Sequence, residues 1–355
     1  MKLLSKKQRQ FQIRITRIRA KHRFSRIRKI WTAPEGRYVA PSERIKAPSR
    51  FNLVRGDGVQ VVKFLRAVAH AVLRRRLRVT LNFRDTESFY PSGTILLYAE
   101  INRIIGLSDF PKPITIKDPF RRRPREVLKQ IGIHELTGDV CNVVPQRDDV
   151  VFWKAVQGRD QSGDTIGPIL EFVADQVNRE QAQQVELSGI WPGVSEAVIN
   201  SVEHAYTASR NDGFNQYDAT KWWMFTQLRR RTFSAAVCDL GCGYRQSINQ
   251  TIPEAFRIRF MQLFFGENLD SQAIKIAMEY GRTSTNMSNR GKGSRDALSV
   301  LTKHGVGELF IISKTGGVRF NLLPGGKLEV ENYDIGIDIK GTIVLWNLPL
   351  KEDFQ

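Results

Sequence analysis

Between residues 51 and 349 the apolar residues recur in two rhythms, and their alternation limits the fold more than any other feature of the chain. "VQVVKFLRAVAHAVLRRR" spaces its apolar side chains for one helical face, whereas "RVTLNF" (78–83) alternates as a half-buried strand does. "PSGTILLYAEINRIIG" (91–106) opens at a Pro-Ser-Gly break and turns helical. "PITIKD" is strand-like, and "RRPREVLKQIG" is a helix stopped by glycine. Helix, strand, helix, strand, helix in succession predicts a sheet covered by helices.

A second domain is expected to open near residue 141. "DVVFWKAVQG" reads as a strand, "GPILEFVADQVNREQAQQ" as a helix, and "GVSEAVINSVEHAY" (193–206) as a helix starting or kinking at Pro192-Gly193. "WWMFTQL" and "FSAAVCDLG" read as neighbouring strands. "GELFIISKTG", "VRFNLLP", "KLEVEN" and "GTIVLWNLP" follow as short strands in meander order. This half reads as helices on one face of a mixed sheet. The chain thus divides into a basic arm and linker at 1–50, a small α/β domain at 51–140 and a larger domain at 141–355. Pro34, Pro41 and Pro48 mark the linker.

Charge separates the arm from the rest. Residues 1–50 hold sixteen Lys and Arg against Glu35 and Glu43, so +14 of the formal +19 is local. Such a segment is drawn to nucleic acid or to an anionic lipid face, or else serves as a solvated or protein-docking tail. No run of eighteen apolar residues predicts a membrane span, and the basic N-terminus lacks the apolar core of a secretory signal. Three cysteines, Cys141, Cys238 and Cys242, suit a reducing cytoplasm, and no ligand set around Cys238 and Cys242 completes a zinc site.

On the 193–206 helix, Glu196, Asn200 and His204 fall in one stripe, because steps of four residues drift only about 40°. An apolar stripe adjoins it. Alone, this pattern also fits the wet face of a surface helix. Downstream, "VCDLGCGY" (237–244) runs from an apolar strand into Asp239-x-Gly241-x-Gly243. A carboxylate at a strand end can accept a hydrogen bond from an exocyclic amine, and the glycines permit close approach of a flat ring. "SNRGKGSRDALSVLTKHG" then places Gly291-Lys292-Gly293 before a helix, where backbone N–H groups and a lysine suit phosphates. The spacing is not that of a Walker A loop. "GTIVLWNLP" ends the series with Gly341-Thr342 entering a strand.

These four pieces, in this order, resemble the motifs of the GHKL superfamily: gyrase, heat-shock chaperone, histidine-kinase and mismatch-repair ATPase domains. Glu196-Ala-Val-Ile-Asn200 resembles the N box, Asp239-Leu-Gly241-Cys-Gly243 the G1 box, Arg290-Gly291-Lys292-Gly293 the G2 box, and Gly341-Thr342 the last Gly-Thr element. The resemblance covers roughly residues 145–350, and "VSEAVINSVEHAY" is most similar to the anti-sigma-factor serine kinases. It implies a Bergerat-type ATP-binding fold, an α+β two-layer sandwich, with ATP and Mg²⁺ as cofactors. Asn200 would hold Mg²⁺, Asp239 the adenine amine, Gly241 and Gly243 the base, and Gly291, Lys292 and Gly293 the phosphates, with His204 and Thr342 also among the cofactor-binding residues. Glu196 would be the general base. His204 either orients a group on the phosphate side or packs at the helix end; it does not resemble a phospho-accepting histidine. Residues 244–290 would form a large nucleotide lid. The 51–140 domain weakly resembles a STAS-like fold, with Ser88 and Ser92 as candidate phosphate acceptors; the reading preferred over that is an ordinary α/β helper domain with no phosphorylation.

The expected function is a Mg²⁺-dependent ATPase that acts as a conformational switch on an unidentified protein partner, in the cytoplasm, with homodimerisation open. Two alternatives remain: a serine/threonine kinase of the anti-sigma type, and a nucleic-acid-binding regulator gated by ATP through residues 1–50.

Overall fold

A computed structural model describes residues 41–54, 56–146, 154–160, 188–214, 221–229, 231–283 and 293–350. Most of the basic arm and the helix expected at 167–184 lie outside them. In chain order the first part contains β1 (Ser42–Lys46), β2 (Arg50–Phe51), α1 (Gly58–Ala69), β3 (Arg78–Asn82), β4 (Ser88–Phe89), α2 (Pro91–Leu107), β5 (Ile114–Lys117), α3 (Arg122–Gln130) and α4 (Ile133–Thr137). Strands β1, β3 and β5 form a parallel sheet, and β2 pairs with β4 in parallel. Parallel neighbours need crossovers, which α1 and α2 supply. Ser42–Lys46, assigned to the arm from its polar "SERIK" and flanking prolines, is therefore a strand of this module.

The second part contains β6 (Lys154–Gly158), α5 (Trp191–Glu203), β7 (Trp222–Arg229), β8 (Thr232–Asp239), α6 (Tyr244–Thr251), α7 (Glu254–Leu263), α8 (Leu269–Thr283), α9 (Gly293–His304), β9 (Gly307–Ser313), β10 (Gly316–Leu322), β11 (Leu328–Asp334) and β12 (Thr342–Pro349). Its seven strands run in the order β11-β10-β9-β12-β8-β7-β6. Every pairing is antiparallel, so the sheet is not mixed. Strands β9 to β11 do form a meander, but β12 returns to lie between β9 and β8, which puts "TIVLW" at the centre.

Both faces of this sheet are covered. Trp222, Met224, Val237, Val344 and Trp346 face one core, with Val194 and Val198 of α5, Ile274 of α8 and Leu301 of α9. Trp223, Phe225, Ala236, Ile343 and Leu345 face a second core shared with Phe51, Leu65, Ile95 and Ile101 of the N-terminal module. Strands buried on both faces read as continuous apolar runs, as "WWMF" and "AAVC" do. Helix α2 lies between module and sheet and is buried nearly all round. The sheet and its α5, α8 and α9 face thus make two layers, and the N-terminal module adds a third. From Ser42 the chain clusters as one compact unit.

Two expectations change with this packing. Helix α8, placed in the lid by sequence, has Ile274 and Met278 buried on the sheet, so the region expected to form a lid contains a structural helix. Ser92 is 2 % exposed and its hydroxyl accepts a hydrogen bond from the Leu53 amide at 3.3 Å, which removes it as a phosphate acceptor on the surface.

Candidate functional site

Helix α5 places the polar stripe. Proline at its start and a preceding 3₁₀ turn at Ser188–Ile190 set its entry. Gly193, Val194, Ala197, Val198 and Ser201 are buried, which leaves Glu196, Asn200 and His204 half-buried along the adjoining edge. The helix ends at His204, whose amide donates to the Asn200 carbonyl at 3.0 Å.

The loop after β8 folds back against that end. The Cys242 amide donates to the Ala205 carbonyl at 2.7 Å. A Cβ on Gly241 would overlap the same carbonyl oxygen, so only glycine fits where loop and helix meet. Gly341 is under the same constraint against the Asp239 carbonyl. The Tyr206 hydroxyl donates to the Lys221 carbonyl and accepts from the Leu240 amide at 3.2 Å. Glycine at 241 is thus explained by contact with the protein's own backbone, before any ligand is considered.

Between α5 and the ends of β8 and β12 lies a narrow cleft of about 50 Å³. Asn200, His204, Asp239, Gly243 and Thr342 line it, so five of the residues singled out by sequence converge. Glu196 sits one turn before Asn200 and does not line the cleft, although its charge reaches Tyr244. Gly291 and Lys292 lie outside the described residues, and Gly293 is the first residue of α9. Tyr244, Ser247 and Ser201 also line the cleft and were not anticipated. The signal for Tyr244 was its place directly after the glycine turn. Its amide is held by the Ser313 hydroxyl at 2.9 Å, and that hydroxyl lies 3.5 Å from the Thr342 Oγ1.

Asp239 is the charged group of the cleft. It is 6 % exposed, and burial pushes its carboxyl up to about 7. The Gly241 amide, donating to Oδ1 at 2.9 Å, the Arg210 charge and hydrogen bonds from Thr342 all oppose that rise without cancelling it. A buried carboxyl poised near neutrality gains from any ligand that donates a hydrogen bond to it, because the donor favours the ionised form. Burial, followed by the Asp239 and Glu196 charges, raises the Tyr244 phenol, which therefore stays protonated.

Asn200, half-buried, contributes a side-chain amide to the lining of the cleft. A separate potential ligand group, Asp118, His134 and Cys141, brings its donor atoms within 4.8 Å of one another in the N-terminal module. His134 Nε2 is already 2.9 Å from the Asp118 carboxylate, so an ordinary His–Asp pair accounts for two of the three. Among the described residues no helix is long and apolar enough to cross a membrane. Comparison of the chain with protein-family models, with curated proteins and with solved structures gives no match in any of the three.

Proposed function

We propose that the α5–β8–β12 cleft is an adenine-nucleotide site and that the protein is a Mg²⁺-dependent ATPase of the GHKL type, built on a Bergerat-type ATP-binding fold. The observation that carries this reading is the convergence, in one cleft, of the Asn200–His204 helix edge with the buried Asp239 and with Gly243 and Thr342. A buried carboxyl acceptor and a side-chain amide in one cleft are the two groups that the adenine amine and a phosphate-bound cation would need. The antiparallel sheet with α5, α8 and α9 on one face is in keeping with the α+β sandwich such a site requires.

Asp239 would accept from the exocyclic amine of adenine, with Thr342 fixing its carboxylate. Asn200 would hold Mg²⁺, which neutralises charge on the transferring phosphoryl group. Glu196 would take the proton of the attacking water as its oxygen bonds to the γ-phosphorus and the bond to the ADP oxygen breaks. One helical turn from Asn200, it would lie near a cation held by that residue. The cleft, about 50 Å³ as it stands, would have to widen between α5 and the ends of β8 and β12 to admit a nucleotide, and the core that the sheet shares with the N-terminal module would feel that change.

Incubation with γ-labelled ATP tests the reading and fixes the fate of the phosphate. Wild type should release free phosphate, and Glu196→Ala should bind ATP yet lose turnover. Label retained on protein would assign a kinase instead, and wild-type turnover in Glu196→Ala would remove the base from this role.

A further inference from the structure

A larger cavity, about 380 Å³, lies on the other face of the same sheet rim, between α1, α2 and the segment after α5. That volume is in the range of small-ligand pockets. Its floor is apolar: Val62, Leu65, Leu96 and Ile339. Five cationic side chains line it, Arg66, Arg74, Arg103, Arg210 and Lys340, against the carboxylates of Glu100 and Asp212.

The wall is built rather than incidental. Arg103 Nε donates to Glu100 Oε2 at 3.0 Å and its Nη2 lies 3.0 Å from Asp212 Oδ2. Arg210 pairs with the other Glu100 oxygen. Arg210 is nine-tenths buried; its Nε lies 3.6 Å from Asp212 Oδ2, and its Nη1 has no hydrogen-bond acceptor among the described residues. Burial alone would raise the Glu100 carboxyl, but Arg103 and Arg210 outweigh it and hold the group at about 2, so the carboxylate is spent on those two guanidiniums. The Phe214 ring lies 5.1 Å from the Arg74 guanidinium and closes one side.

We infer that this cavity is a second ligand site, distinct from the nucleotide cleft, for a small organic anion: a phosphate or carboxylate head carried on an aromatic or branched apolar body. The apolar floor takes the body. Arg103 and Arg210 are matched by Glu100 and Asp212, and Lys340 Nζ lies 3.0 Å from Asp338 Oδ2. The cationic excess that takes the head is therefore that of Arg66 and Arg74, whose hydrogen bonds among the described residues go only to backbone carbonyls, with the spare Nη1 of Arg210 beside them. Neither feature alone suffices: a bare anion gains nothing from the floor, and a neutral body leaves the positive field unanswered.

Calorimetric titration of the full chain with phenyl phosphate and with benzoate tests it, beside inorganic phosphate and benzyl alcohol. One site per chain should saturate with at least one of the two organic anions, and the arm that saturates identifies the head group. The two controls should bind at least tenfold more weakly. Arg66→Ala and Arg74→Ala, which leave the buried network intact, should each weaken binding by about tenfold. The paired Glu100→Gln and Arg210→Gln change, which leaves the net charge of the wall as it was and keeps the Arg103–Asp212 pair, should weaken it further. Absence of saturable binding by both anions, binding indifferent to Arg66→Ala and Arg74→Ala, or displacement by ATP would each overturn the inference.

Discussion

At Asp239, stability and ligand binding pull in opposite directions. The folded-state value of about 7 exceeds the 3.8 of an ordinary aspartate, so folding takes up a proton between those limits. The stabilising contribution is complete below about pH 4 and is lost as pH rises through 7. At pH 8 the ionised carboxylate therefore stands in the fold at a cost of the order of 2–4 kcal/mol. Asp239→Asn removes that cost. Urea unfolding should show the variant more stable than wild type at pH 8, with the advantage shrinking toward pH 4.5. The same variant should bind ATP more weakly, since an amide can present its donor where the adenine amine needs an acceptor. A variant less stable than wild type at pH 8 would mean that the hydrogen bonds from Gly241 and Thr342 outweigh burial.

Among the elements, α8 separates a lid from a scaffold. Ile274 is fully buried against the sheet. Ile274→Ala should cost about 2–4 kcal/mol in denaturant unfolding, as deletions of buried aliphatic groups do; a change within experimental error would return α8 to the lid. The placement of this helix in the lid has a physical source. "DSQAIKIAMEYG" has a helical period, and periodicity shows that one face is buried without showing what buries it. The doubly buried strands β7, β8 and β12 were legible for the opposite reason, because few states other than a covered strand tolerate "WWMF" or "TIVLW". The edge of α5 was legible from its spacing of four. The 42–46 strand was not, because "SERIK" alternates between exposed and half-buried residues and pairs with a partner more than thirty residues away. Nor could spacing reveal that Gly241 is required by the Ala205 carbonyl, a contact between elements far apart in sequence.

For the whole molecule, the N-terminal module and the sheet share one core, so residues 42–350 should unfold in a single transition, whereas the charged arm should be separable. Removal of residues 1–40 should leave ATP affinity unchanged, since every residue of the cleft lies after Trp191. The same deletion should abolish most binding to nucleic acid; in the intact chain, about six phosphate contacts would give log K a slope of about −5 against log salt. Binding to anionic vesicles in place of nucleic acid would move the arm to a membrane surface, and binding to neither would leave it a protein-docking segment. The central claim is that Asp239 reads adenine in the α5–β8–β12 cleft. Titration of ATP and GTP, each with Mg²⁺, into the intact chain tests it most directly. ATP should bind at one site per chain and at least tenfold more tightly than GTP, which presents a carbonyl where adenine has its amine; equal affinities, or no ATP binding, would contradict the account.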